Sequence, residues 1–83
     1  MLVKIYTTTT CPYCKMAKTY LDAKGVKYEN IFVDNDEQAA EKMIKESGQM
    51  GVPFTEITQD GGTLVKILGF DKAKLNEALG ITG

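Results

Sequence analysis

Both cysteines of this 83-residue chain sit in one stretch, Cys11-Pro12-Tyr13-Cys14. Two thiols at this spacing can pass between dithiol and disulfide with little backbone movement, and a C-x-x-C pair next to a strand–helix unit is a redox signal. The mostly apolar run Leu2–Tyr6 before it reads as a buried strand, and the threonines at 7–10 break that run and lead into the motif. Pro12 suits the first position of a helix, which leaves Cys11 as the cap. There the Cys11 sulfur can accept from the otherwise unpaired amides of Tyr13 and Cys14, and the positive helix end favours its thiolate. The thiolate is the attacking species in thiol–disulfide exchange. Cys11 is therefore the expected nucleophile. Cys14, shielded within the first turn, is expected to keep its proton longer and to resolve the mixed disulfide. Lys15 and Lys18 either add positive potential there or are simply solvated.

Other uses of the pair are weaker. A staple closing so short a loop contributes only ~2 kcal/mol by loop entropy. A zinc site needs four ligands, and the chain has two cysteines and no histidine. No metal is expected.

The elements that must hold the motif can be read from composition and periodicity. Hydrophobic content of 43% and charged content of 25% are ordinary for one globular domain, here taken as 1–83. The net charge is −1 and all ten cations are lysines, which argues against nucleic acid as a partner. No apolar run has membrane-spanning length, so no membrane partner is expected. The opening Met1-Leu2-Val3-Lys4-Ile5-Tyr6 is strand-like and lacks the layout of a secretory leader. A reducing, cytoplasmic location is expected, where a cysteine pair is catalytic more often than structural.

From Pro12 a helix should run to about Lys24, with Tyr13, Ala17, Tyr20 and Leu21 on one face and Gly25 stopping it. Lys27–Val33 reads as a strand suited to a sheet edge. Asn35 or Asp36 caps a second helix striped by Ala39, Ala40, Met43 and Ile44 and ended by Gly48. Strands Pro53–Thr58 and Thr63–Leu68 flank the hairpin signal Gln59-Asp60-Gly61-Gly62, though Phe54-Thr55-Glu56-Ile57 does not alternate cleanly. Asp71 caps a final helix carrying Ala73, Leu75, Ala78 and Leu79. The order is β-α-β-α-β-β-α, with the first two strands parallel and the hairpin antiparallel.

This order, with Cys-Pro-Tyr-Cys after the first strand, Gly51-Val52-Pro53 before the third and Leu68-Gly69-Phe70-Asp71 before the last helix, resembles the glutaredoxin branch of the thioredoxin superfamily. The resemblance implies an α/β fold with a four-stranded mixed sheet in order 2-1-3-4. It places helices 1 and 3 on one face and helix 2 on the other. It also implies a cis Val52-Pro53 bond facing the cysteines. The backbone beside Pro53 would pair with an incoming chain as an added strand does. Tyr13 would line the groove beside Cys11. Phe70 and Asp71, at a helix entry whose amides suit a carboxylate, would receive a γ-glutamyl end.

The function implied is a thiol–disulfide oxidoreductase, a monomer without bound cofactor. It would reduce disulfide-containing proteins or glutathione mixed disulfides, with glutathione as reductant. Two positions depart from the family pattern: Thr8 stands where lysine is common, and Gly51 where threonine is. They keep open a glutathione-independent donor reduced by thioredoxin reductase and serving ribonucleotide reductase. A cluster-binding glutaredoxin is the third alternative, although members of that kind usually lack a proline after the first cysteine.

Overall fold

A computed structural model describes residues 1–49 and 51–81 of the chain. Seven elements follow in order: β1 (Leu2–Thr7), α1 (Pro12–Ala23), β2 (Glu29–Phe32), α2 (Glu37–Ser47), β3 (Phe54–Thr58), β4 (Leu64–Leu68) and α3 (Lys72–Leu79). The strands form one sheet in the order β2-β1-β3-β4. β1 and β2 run parallel, with Thr7 opposite Phe32. The β1–β3 and β3–β4 pairs are antiparallel. The expected fold and strand order are those observed.

Each boundary has a local cause. Cys11, Asp36 and Asp71 cap the three helices in extended backbone, each side chain accepting a hydrogen bond from an amide of the first turn. Asp36, not Asn35, caps α2, receiving the amides of Gln38 at 3.0 Å and Ala39 at 3.2 Å. β2 is shorter than the expected Lys27–Val33, because its pairing with β1 covers only Glu29–Phe32.

Alternation along the strands creates two apolar layers. Val3, Ile5, Ile57 and Ile67 point to one face and pack against Ala17 and Leu21 of α1 and Leu75 and Ala78 of α3. Tyr6 and Phe54 point to the other face and meet Met43 of α2, their rings 5.9 Å apart. The helices are thus divided between the faces as the resemblance implied. β3 shows why its sequence does not alternate: it lies between β1 and β4, and Phe54, Thr55, Glu56 and Ile57 are all buried.

The helix stripes narrow in the structure. On α1 the buried residues are Cys14, Ala17 and Leu21, whereas Tyr13 is exposed and Tyr20 half-buried. On α2 only Met43 is fully buried, and on α3 Ala73 is exposed.

Candidate functional site

The β1–α1 junction delivers both sulfurs to one end of the sheet. At the N-cap, the Cys11 backbone is extended at φ −96° and ψ 112°, and its Sγ accepts the amide of Cys14 at 3.2 Å. Of the two amides expected to reach this sulfur, only that of Cys14 does. The Cys11 carbonyl accepts the amide of Lys15 at 3.2 Å, which closes the first turn. Both cysteines are free thiols; Cys11 is partly open to solvent and Cys14 is buried.

Burial pushes the Cys14 thiol up to about 11, and its hydrogen bond to Cys11 acts in the same direction. The backbone of Thr8 and the charge of Lys18 oppose that rise. The two sulfurs therefore differ chemically: one is accessible and hydrogen-bonded by a helix amide, the other buried and held protonated. Such a pair can attack with its outer sulfur and close a disulfide with its inner one.

Two contacts brace this corner that the residue pattern did not reveal. The Asp34 carboxylate accepts both the amide of Thr9 at 3.0 Å and its hydroxyl at 2.6 Å, tying the threonine loop to the chain after β2. The Lys18 ammonium lies 5.1 Å from the centre of the Phe32 ring. Phe32 ends β2, on the edge of the sheet beside β1, and Lys18 reaches its ring from α1. The contact's only sequence signal is an aromatic residue on an edge strand.

Beside the thiols is a groove of about 260 Å³ lined by Tyr13, Val52, Pro53, Gly69 and Phe70. The Val52-Pro53 bond is cis, and the Pro53 carbonyl accepts the amide of Gly69 at 2.8 Å. Gly69 has φ +77°, a conformation that costs a residue with a Cβ. That link brings the segments before β3 and after β4 to one wall. Four residues expected at the site from sequence (Tyr13, Val52, Pro53 and Phe70) thus share a single groove. Asp71 does not line it: its carboxylate is engaged with the amide of Lys74 at 3.1 Å as the cap of α3. Gly69 is the lining residue whose individual role the sequence left unassigned.

Among the described residues, no cluster of three or more Cys, Asp or Glu side chains suited to a metal ion occurs. None of the described helices is long and apolar enough to cross a membrane.

Comparison with known proteins agrees with this architecture. The glutaredoxin family model matches residues 3–60. Glutaredoxin 3 of Escherichia coli K12 is 44% identical over 62 residues, covering 72% of this chain and 75% of that protein. An uncharacterised glutaredoxin-like 8.6 kDa protein from the rubredoxin operon of Clostridium pasteurianum is 38% identical over 78 residues, covering 94% of this chain and 97% of the relative. Among solved structures, the glutaredoxin-like NrdH-redoxin of Escherichia coli superposes with a TM-score of 0.77 at 28% identity, covering 93% of each chain.

Proposed function

The chain belongs to the glutaredoxin family of thiol oxidoreductases, and on that premise we propose that it reduces disulfides through a Cys11/Cys14 dithiol cycle. The observation that carries this reading is the asymmetry of the pair. Cys11 sits partly open at the helix cap with the Cys14 amide on its sulfur, and Cys14 is buried with its thiol raised to about 11.

The Cys11 thiolate attacks one sulfur of a substrate disulfide, and the other leaves as a thiolate that takes a proton from solvent. Cys11 is now in a mixed disulfide and carries no charge. The hydrogen bond and charge of Cys11 that had raised Cys14 are thereby removed, while the lowering influences of the Thr8 backbone and Lys18 remain. The Cys14 thiol gives its proton to solvent, and its thiolate attacks the Cys11 sulfur, breaking the mixed disulfide, releasing the second substrate thiolate and closing the Cys11–Cys14 disulfide. Two electrons pass to the substrate. In this reading the Val52 backbone and the groove beside Tyr13, Pro53 and Phe70 align the incoming chain during the first attack, and an external reductant returns the pair to the dithiol.

A second reading of that reductant has support of its own. Thr8 and Gly51 replace residues common in glutathione-using members, and the NrdH-redoxin relative is described as having a thioredoxin-like activity profile. One experiment separates the two: NADPH-linked disulfide turnover with glutathione and glutathione reductase, against turnover with thioredoxin reductase alone. Cys11→Ser should abolish both, and Cys14→Ser should accumulate a mixed disulfide with substrate. Full turnover by Cys11→Ser would overturn the cycle.

A further inference from the structure

The groove beside the thiols is lined in part by Phe70. Phe70 also lines a second groove of about 440 Å³, together with Met16, Thr19, Tyr20 and Ala23 and with Lys15 and Lys72. Its surroundings are apolar and accessible: Met16 is 49% exposed and the neighbouring Tyr13 is 64% exposed. None of its lining residues is acidic. The Lys72 ammonium lies near two rings, 5.4 Å from the centre of Tyr20 and 5.9 Å from that of Phe70. Lys24 stands over the same Tyr20 ring at 5.6 Å. In a chain of net charge −1, this face is locally cationic. Asp71, the adjacent carboxylate, is already engaged with the Lys74 amide.

We propose that this second groove is a docking subsite for an extended, acidic segment of a polypeptide substrate, with a large apolar side chain beside its carboxylates, whose disulfide is presented to Cys11. The inference rests on the disulfide-reductase reading above. Two features point to this occupant. Phe70 lines both grooves, so a chain lying along Val52 in the first meets the edge of the second at that ring. The groove offers lysines and aromatic faces but no carboxylate, which suits an acidic chain with an aromatic or aliphatic anchor and opposes a basic one.

The test has a binding arm and a turnover arm. Backbone amide resonances of the reduced protein are followed while adding a disulfide-free blocked Glu-Phe-Asp peptide or its Lys-Phe-Lys counterpart. Shifts at Met16, Ala23 and Phe70 with the acidic peptide alone are expected. Lys15→Glu/Lys72→Glu should weaken that binding by about five-fold or more, and so should raised salt. In the turnover arm, a peptide disulfide with acidic flanks should be reduced about five-fold more efficiently than one with lysine flanks, and the double variant should bring that ratio to about one.

Equal turnover of both peptide disulfides by the wild-type protein, or no shifts in this groove, overturns the subsite while leaving the reductase reading intact. Shifts with glutathione disulfide matching those with the acidic peptide also overturn it, in favour of a glutathione subsite. Concentration-dependent shifts there without peptide overturn it in favour of a second copy of the chain. Groove shifts with the acidic peptide but turnover of neither disulfide would instead overturn the reductase reading and leave a peptide-binding face.

Discussion

Lys18 and Phe32 meet across the α1–β2 interface, the ammonium 5.1 Å from the ring centre. The ring holds a positive charge on the cysteine-bearing helix, one turn after Cys14, and that charge favours the Cys14 thiolate. The contact turns an aromatic residue on the sheet edge into a positioning residue for the thiol pair. Phe32→Leu should cost about 0.5–1 kcal/mol in stability. It should also slow closure of the disulfide from a Cys11 mixed disulfide by a few-fold, while alkylation of Cys11 is unchanged. Stopped-flow resolution of a preformed mixed disulfide reads this directly. An unchanged resolution rate with the same loss of stability would reduce Phe32 to packing.

The alkaline limb of stability should carry the signature of two buried groups. Burial raises Cys14 to about 11, and burial together with the Glu56 charge raises Tyr6 to about 12. Both groups are neutral when protonated and bind that proton more tightly in the native state, so their contribution is fully present below pH 9 and is lost as pH climbs through the folded values. The expected loss is about 1–3 kcal/mol per group, read from urea denaturation of the reduced protein between about pH 8 and 12. Among the described residues Tyr6 Oη makes no hydrogen bond of good geometry, and the Glu56 carboxylate beside it is unpaired at Oε1 as well, its approach to the hydroxyl acting to raise Tyr6 further. Tyr6→Phe should therefore be neutral or slightly stabilising at pH 7 and should flatten the alkaline decline. A steep loss at pH 7 would mean that the hydroxyl has a partner in solution.

Labelling should follow the same asymmetry. A limiting alkylating agent near pH 7 should modify the partly open Cys11 first, with Cys14 reacting only after unfolding. Peptide mapping of the singly labelled protein decides it, and label on Cys14 would reverse the assigned roles.

The Thr9–Asp34 bridge should be acid-sensitive. Hydrogen bonds from the Thr9 hydroxyl and then its amide hold Asp34 below the usual aspartate range. Because this value is depressed, the bridge contributes above the ordinary aspartate pKa and is lost as pH falls through the folded value. Asp34→Asn should speed amide exchange at Thr9 at neutral pH and remove the acid dependence of that exchange. Exchange at Thr9 that is already fast in the wild type would show the loop to be untethered.

Thr8 bears on the reductant. Thr8→Lys adds a partly exposed cation at the position where the family resemblance implies a lysine. A contact of roughly 0.5–1 kcal/mol should improve apparent glutathione affinity about two- to five-fold, fading with salt. Glutathione-dependent turnover of both forms at low and high ionic strength checks it. Equal values at both would remove Thr8 as the limiting feature.

Much of this was legible in the chain because it is local. A proline at the first helical position puts Cys11 at the cap, aspartates three residues from first-turn amides cap the other helices, and glycines close the turn between β3 and β4. These relations depend on backbone dihedrals and hydrogen bonds a few residues apart, and residue types specify them directly. The family pattern in Cys11-Pro12-Tyr13-Cys14 and Gly51-Val52-Pro53 carried the strand order as well.

What the chain alone left open were relations between distant segments. Placing β3 centrally buries Phe54 to Ile57 on both faces, a pattern that looks irregular until both neighbouring strands are known. The amide of Gly69 reaches the Pro53 carbonyl only because β3 and β4 pair. Lys18 reaches Phe32 because β2 lies beside β1, and Lys72 meets Tyr20 because α1 and α3 share one face. Such contacts depend on how the sheet and helices pack, and side chains gain partners from that packing that their sequence neighbours do not announce.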